Sequence, residues 1–72
     1  MSKRISINDV QIELDRVNSV TGRSYYAFYE SGSARIAIPV GKGRSTVYMG
    51  TARECYTYAI GMRETATLPK AV

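Results

Sequence analysis

The hydrophobic pattern of the chain changes period twice, and this constrains the fold more than any other feature. Near the N-terminus, apolar residues recur three or four positions apart, as on one face of a helix: Ile7, Val10, Leu14 and Val17. Residues 24–50 instead alternate with a period of two and are divided by glycine-containing turns, which predicts strands. Helical spacing returns after residue 50 at Cys55, Ala59 and Met62.

These periods predict a helix, three strands and a second helix. We expect helices over 6–19 and 51–63, each opened by a capping box, Ser6 with Asp9 and Thr51 with Glu54. Strands are expected at 24–30, 34–40 and 45–49, in an antiparallel sheet with both helices on one face. The predicted fold class is α+β (αβββα), with one domain over 1–64 and a tail over 65–72 in which Leu68 could dock.

Composition argues against most catalytic chemistry. The 72 residues include no His and one Cys. This excludes a His base, a Ser-His-Asp triad, an internal disulfide and a four-Cys zinc site. We therefore expect no enzyme, no catalytic residue, no metal and no cofactor. Cys55 is expected to be a buried core thiol, and the acidic residues of the first helix, Asp9, Glu13 and Asp15, a solvated face.

The compartment is predicted from what the chain lacks. No apolar run approaches the roughly 20 residues of a membrane span. No apolar stretch follows the charged N-terminus, so we expect no signal peptide and no membrane partner. A cytoplasmic location follows as an expectation.

Basic residues are concentrated in the middle of the chain. The net charge is +4, and residues 23–50 carry four basic residues against one acidic residue. An anionic partner is therefore expected there. The segment Gly41-Lys42-Gly43-Arg44 does not fit a phosphate-binding P-loop, because a strand rather than a helix follows it. It is either a plain hairpin loop or an anion contact.

The sheet face without helices is the predicted binding surface. The strand residues expected to face the helices are Phe28, Ile36, Ile38, Val40, Val47 and Met49. Alternation then turns Tyr and Arg side chains outward. The predicted surface consists of Tyr25, Tyr29, Arg35 and Tyr48, with Lys42 and Arg44 on its rim. Such residues bind single-stranded nucleic acid, dominate protein interfaces, or merely stabilise a half-exposed sheet as cross-strand pairs.

Two stretches resemble small accessory proteins of tailed phages and prophages. The first is residues 17–25, with a helix that ends in Thr21-Gly22-Arg23. The second is residues 50–62, with an Ala-Arg-Glu-x-Tyr helix. This resemblance implies an accessory protein of a mobile element in a bacterial host cell and no particular activity.

The segments 35–38 and 47–51, with the helix after them, look like the three-stranded DNA-binding domains of the plant AP2 and phage integrase arm-binding type. In those families the open sheet enters the major groove, which implies Arg35, Arg44 and Tyr48 as readers. The chain lacks their Trp signature and adds a first helix. The order of elements also resembles that of double-stranded-RNA-binding domains, but this chain lacks the basic residues that begin their last helix.

The function expected from these observations is nucleic-acid binding by a small basic accessory protein. A protein-binding modulator or inhibitor of a host protein is the alternative, and self-association as a homodimer is a third.

Overall fold

The computed structural model describes residues 4–67. The elements are α1 (Ile7–Thr21), β1 (Tyr26–Glu30), β2 (Ser33–Val40), β3 (Gly43–Gly50) and α2 (Ala52–Thr67). The predicted α+β class and order of elements are confirmed. The second helix runs four residues past its predicted end, so residues 65–67 of the predicted tail are helical. The rest of that tail, including the predicted docking of Leu68, lies outside the described residues.

Both helices begin at the predicted capping boxes. The Asp9 amide donates to the Ser6 hydroxyl at 3.4 Å, and the Ser6 amide donates to the Asp9 carboxylate at 2.9 Å. The corresponding distances for Thr51 and Glu54 are 3.1 and 2.8 Å. Each box satisfies two backbone donors that a helix start otherwise leaves without partners.

Two-residue turns join the strands into a meander of order β1-β2-β3. In the first turn, Ser31 and Gly32 have φ angles of 53° and 78°, as a type I′ hairpin turn requires of both central residues. In the second turn, Gly41 has a φ of 56° and Lys42 follows it. Strand β3 therefore begins at Gly43, two residues earlier than predicted, and Arg44 belongs to the sheet rather than to a loop.

The core lies between the two helices and one face of the sheet. Its fully buried members come from α1, β2 and α2: Val10, Leu14, Ala34, Ile36, Cys55 and Ala59. The prediction that both helices cover one sheet face is confirmed. This cover ends before Val40, which is 57% exposed although it was predicted to face the core.

Helix α1 also protects the outer edge of β1. The Gln11 side chain accepts a hydrogen bond from the Ala27 amide at 2.9 Å. The Asn18 side chain accepts from the Tyr25 amide at 2.8 Å and donates to the Tyr25 carbonyl at 2.9 Å. The free backbone groups of an edge strand can pair with a strand of another chain, and here these side chains already form hydrogen bonds with them.

Candidate functional site

The strand register defines which side chains lie on the sheet face away from the helices. Residues paired across neighbouring strands share a face, and Ala34 and Ile36 mark the helix side of β2. The opposite face, which we call the open face, carries Tyr26, Phe28, Glu30, Arg35, Ala37, Arg44, Thr46 and Met49. Among residues 4–67, no helix packs against it.

Arg44 reaches from β3 across the middle strand to β1. Its Nη2 lies 2.6 Å from Oε1 of Glu30, and its guanidinium carbon lies 4.3 Å from the centre of the Phe28 ring. The same side chain thus makes an ion pair and a cation–π contact. The Phe28 ring in turn lies 5.6 Å from that of Tyr26, centre to centre. These contacts join the two outer strands over the open face.

Arg35 projects from the middle of the open face, between Phe28 and Met49 in the register. Its Nη1 lies 4.0 Å from Oε1 of Glu30, the same oxygen that Arg44 contacts. Its Nε is buried and makes no hydrogen bond within the described residues. Two guanidinium groups therefore converge on one carboxylate oxygen.

The structure places two of the predicted site residues, Arg35 and Arg44, on the open face, with Arg44 inside β3 rather than on the rim as predicted. Lys42 is exposed in the turn between β2 and β3, at one end of the sheet.

The prediction for Tyr48 is wrong because β3 contains a bulge. Ile36 pairs with Tyr48 while Ala37 pairs with Thr46, so Val47 is an extra residue in β3. Val47 and Tyr48 both pack against the core, and the Tyr48 ring stacks on that of Tyr58 at 4.4 Å. The alternation after the bulge is shifted by one residue. Met49, predicted to be in the core, is consequently 55% exposed on the open face.

The prediction for the two faces of β1 is also wrong. Ala27 packs against the core and Phe28 faces outward. Helix α1 lies close enough to β1 for Gln11 to accept a hydrogen bond from the Ala27 amide, so only a small side chain fits between them. Tyr25 therefore packs on the helix side. Tyr29 pairs with Ala34 on that same side and is exposed at the end of the strand. The residues of the open face that sequence reasoning missed are Tyr26, Phe28, Glu30 and Met49.

The buried ionisable groups lie on the helix side. Glu13, predicted to be solvated, is 6% exposed and lies 2.8 Å from Nε of Arg63 and 3.4 Å from Nη1 of Arg16. The pair with Arg63 joins α1 to α2, and the pair with Arg16 lies within α1. The role of Glu13 is therefore structural.

Cys55 is a core thiol in the structure, as the sequence predicts. Its Sγ donates to the Ala34 carbonyl at 3.3 Å, inside the core. Burial raises the pKa of the Cys55 thiol, and the Glu54 carboxylate acts in the same direction, while a hydrogen bond with the Gly50 backbone opposes them. The thiol is therefore neutral and shielded, the opposite of what a nucleophile needs.

Two depressions flank α2 on the helix side. The larger, about 500 Å³, lies between the C-terminal halves of the two helices and is lined mainly by apolar groups, including Val17, Tyr25 and Met62. The smaller, about 410 Å³, lies beside the first turns of α2. Within residues 4–67, no three His, Cys, Asp or Glu side chains are grouped so as to hold a metal ion. No helix in that range is long and apolar enough to cross a membrane.

Comparison of the chain with family models, curated proteins and solved structures found no significant match.

Proposed function

We propose that this chain is a small non-catalytic module that binds nucleic acid on the open face. One observation carries the proposal: the open face, which no helix of residues 4–67 covers, places two guanidinium groups beside two aromatic rings. Guanidinium groups bind phosphates, and aromatic rings and guanidinium planes stack on bases. The excess of basic residues over 23–50 supports the same partner.

Phosphate contacts supply most of the affinity in this proposal. Among residues 4–67, the cations on the open face and its adjoining turn are Arg35, Arg44 and Lys42. Three phosphate contacts on a single strand predict a log–log salt slope of about −2. The two rings add base contacts that tolerate many sequences, so we expect little sequence preference.

The test is fluorescence anisotropy with a labelled oligothymidine of about 15 nucleotides and with a duplex of the same length. Arg44→Ala should weaken binding and make the salt slope shallower by about 0.7 per lost phosphate contact on the single strand. Arg53→Ala is the matched control, because Arg53 is an exposed arginine on the helix side. Equal affinities of the Arg44→Ala, Arg35→Ala and Arg53→Ala variants would rule out the open face as the binding surface.

A protein partner is the second candidate, and one row of residues favours it. Phe28, Arg35 and Met49 lie side by side across the three strands. Aromatic, Arg and Met side chains are enriched in protein interfaces, and Met49 is largely exposed. If the partner is a host protein, Met49→Ala should weaken its capture more than Lys42→Ala, and nuclease should leave the capture unchanged. If the partner is a second copy, the melting temperature should rise with protein concentration.

The setting that we propose, an accessory protein of a phage or other mobile element in the bacterial cytoplasm, rests on the sequence resemblance alone.

A further inference from the structure

We infer that Glu30 occupies the position on the open face where a phosphate would bind, and that it lowers the affinity for nucleic acid because a phosphate must displace it. The inference rests on the proposed function. It adds a regulatory residue to the site: an acidic side chain that competes with the ligand for the same guanidinium groups.

The two arginines form an anion-binding position that the Glu30 carboxylate fills. Oε1 of Glu30 lies 2.6 Å from Nη2 of Arg44 and 4.0 Å from Nη1 of Arg35. A carboxylate and a phosphate offer guanidinium groups the same kind of charged oxygen acceptor. The position of Oε1 thus marks where a phosphate oxygen would accept a hydrogen bond from Arg44 and form a longer ion pair with Arg35.

Glu30 also controls the ring that nucleic acid would stack on. The Arg44 guanidinium that pairs with Glu30 covers one face of Phe28. While Glu30 holds Arg44 in place, that ring face is closed to a base. A phosphate that replaces Glu30 as the partner of Arg44 therefore also decides whether this guanidinium stays over Phe28, which couples phosphate binding to stacking.

Glu30 is placed so that it can be displaced. It ends β1 next to the first turn, and its side chain is 44% exposed. Exposed ion pairs are worth little, so a polyanion with several contacts can replace this one. Glu13 provides the contrast, because its carboxylate is almost fully buried between Arg16 and Arg63.

Three variants separate this role from a simple change of net charge. Glu30→Gln removes the carboxylate and should bind the oligothymidine about two- to fivefold more tightly, the range expected for releasing one exposed ion pair. Glu64→Gln makes the same charge change on α2, away from the open face, and should alter binding less. Glu30→Asp keeps the charge but withdraws the carboxylate by one methylene, and its affinity should lie between those of wild type and Glu30→Gln.

A double-mutant cycle tests whether Glu30 lowers the affinity for the oligothymidine through Arg44. The gain from Glu30→Gln should shrink in an Arg44→Ala background, because the restraint acts mainly through that side chain. Thermal unfolding of each variant checks that the fold is intact.

The outcomes distinguish this inference from the proposed function. If wild type binds through the open face but Glu30→Gln binds no more tightly than Glu64→Gln, the restraint is refuted and the function stands. If neither wild type nor Glu30→Gln binds either oligonucleotide, both the function and the restraint are refuted.

Discussion

Substitution by alanine should change the stability of the fold very differently at two neighbouring residues of β3. The bulge places Tyr48 on the helix side, partly buried and stacked on Tyr58, and leaves Met49 exposed on the open face. Tyr48→Ala should therefore cost stability, and Met49→Ala should change stability little. Without the bulge, simple alternation predicts the reverse.

The magnitude follows from burial and stacking. Full burial makes an aromatic-to-alanine change cost about 3–5 kcal/mol, and a stacked pair contributes about 0.5–1.5 kcal/mol beyond its burial. For the half-buried Tyr48 we expect a loss of about 2–3 kcal/mol. A 72-residue domain has only about 4–11 kcal/mol of total stability. The melting temperature should therefore fall by about 10 °C or more.

The assay is thermal and urea unfolding followed by circular dichroism. Met49→Ala should lose less than about 1 kcal/mol, because more than half of its side chain already lies in solvent. Unchanged urea m-values would show that both variants retain the cooperative fold. Equal losses for the two variants, or a larger loss for Met49→Ala, would refute the bulge and the assignment of the open face.

Three further predictions concern the framework of the fold. Gly50→Ala should destabilise by about 1 kcal/mol, since a Cβ there would lie 2.7 Å from the capping oxygen of Glu54; urea unfolding measures the loss, which should shrink in a Glu54→Ala background. Ser31→Asn should stabilise by about 0.5 kcal/mol, because Asn-Gly suits a turn in which residue 31 has a φ of 53°; an unchanged melting temperature would contradict this. Burial raises the pKa of the Cys55 thiol in the folded protein above that of an exposed thiol, which is about 8.5. The thiol's contribution to stability is therefore complete below about pH 8.5 and is lost as the pH rises through the folded pKa. A Cys55→Ala variant should lack that loss in unfolding measured from pH 7 to 10, and a thiol reagent should modify native Cys55 only as fast as the chain unfolds.

The helices could be predicted from the sequence because their signals are local. The capping boxes at Ser6 and Thr51 are complete within four residues, and the stripe from Val10 to Val17 is buried as its spacing predicts. The end of α2 was less predictable. Gly61 weakens a helix by about 1 kcal/mol, but the helix continues through it to Thr67.

The strand faces could not be predicted because they depend on contacts between distant residues. No local signal marks Val47 as the extra residue of a bulge, and that one residue reverses the faces of Tyr48 and Met49. In β1 the larger Phe28 suggested a core residue, whereas α1 admits the smaller Ala27. Arg35 was predictable because Ile36 beside it is anchored in the core.

The claim that nucleic acid binds on the open face can be tested most directly by an NMR titration with the oligothymidine. The account predicts saturable shifts in the side chains of Tyr26, Phe28, Arg35, Arg44 and Met49, with little change at Cys55 and Ala59 on the helix side. An absence of shifts at any concentration, or shifts confined to the groove between α1 and α2, would contradict it.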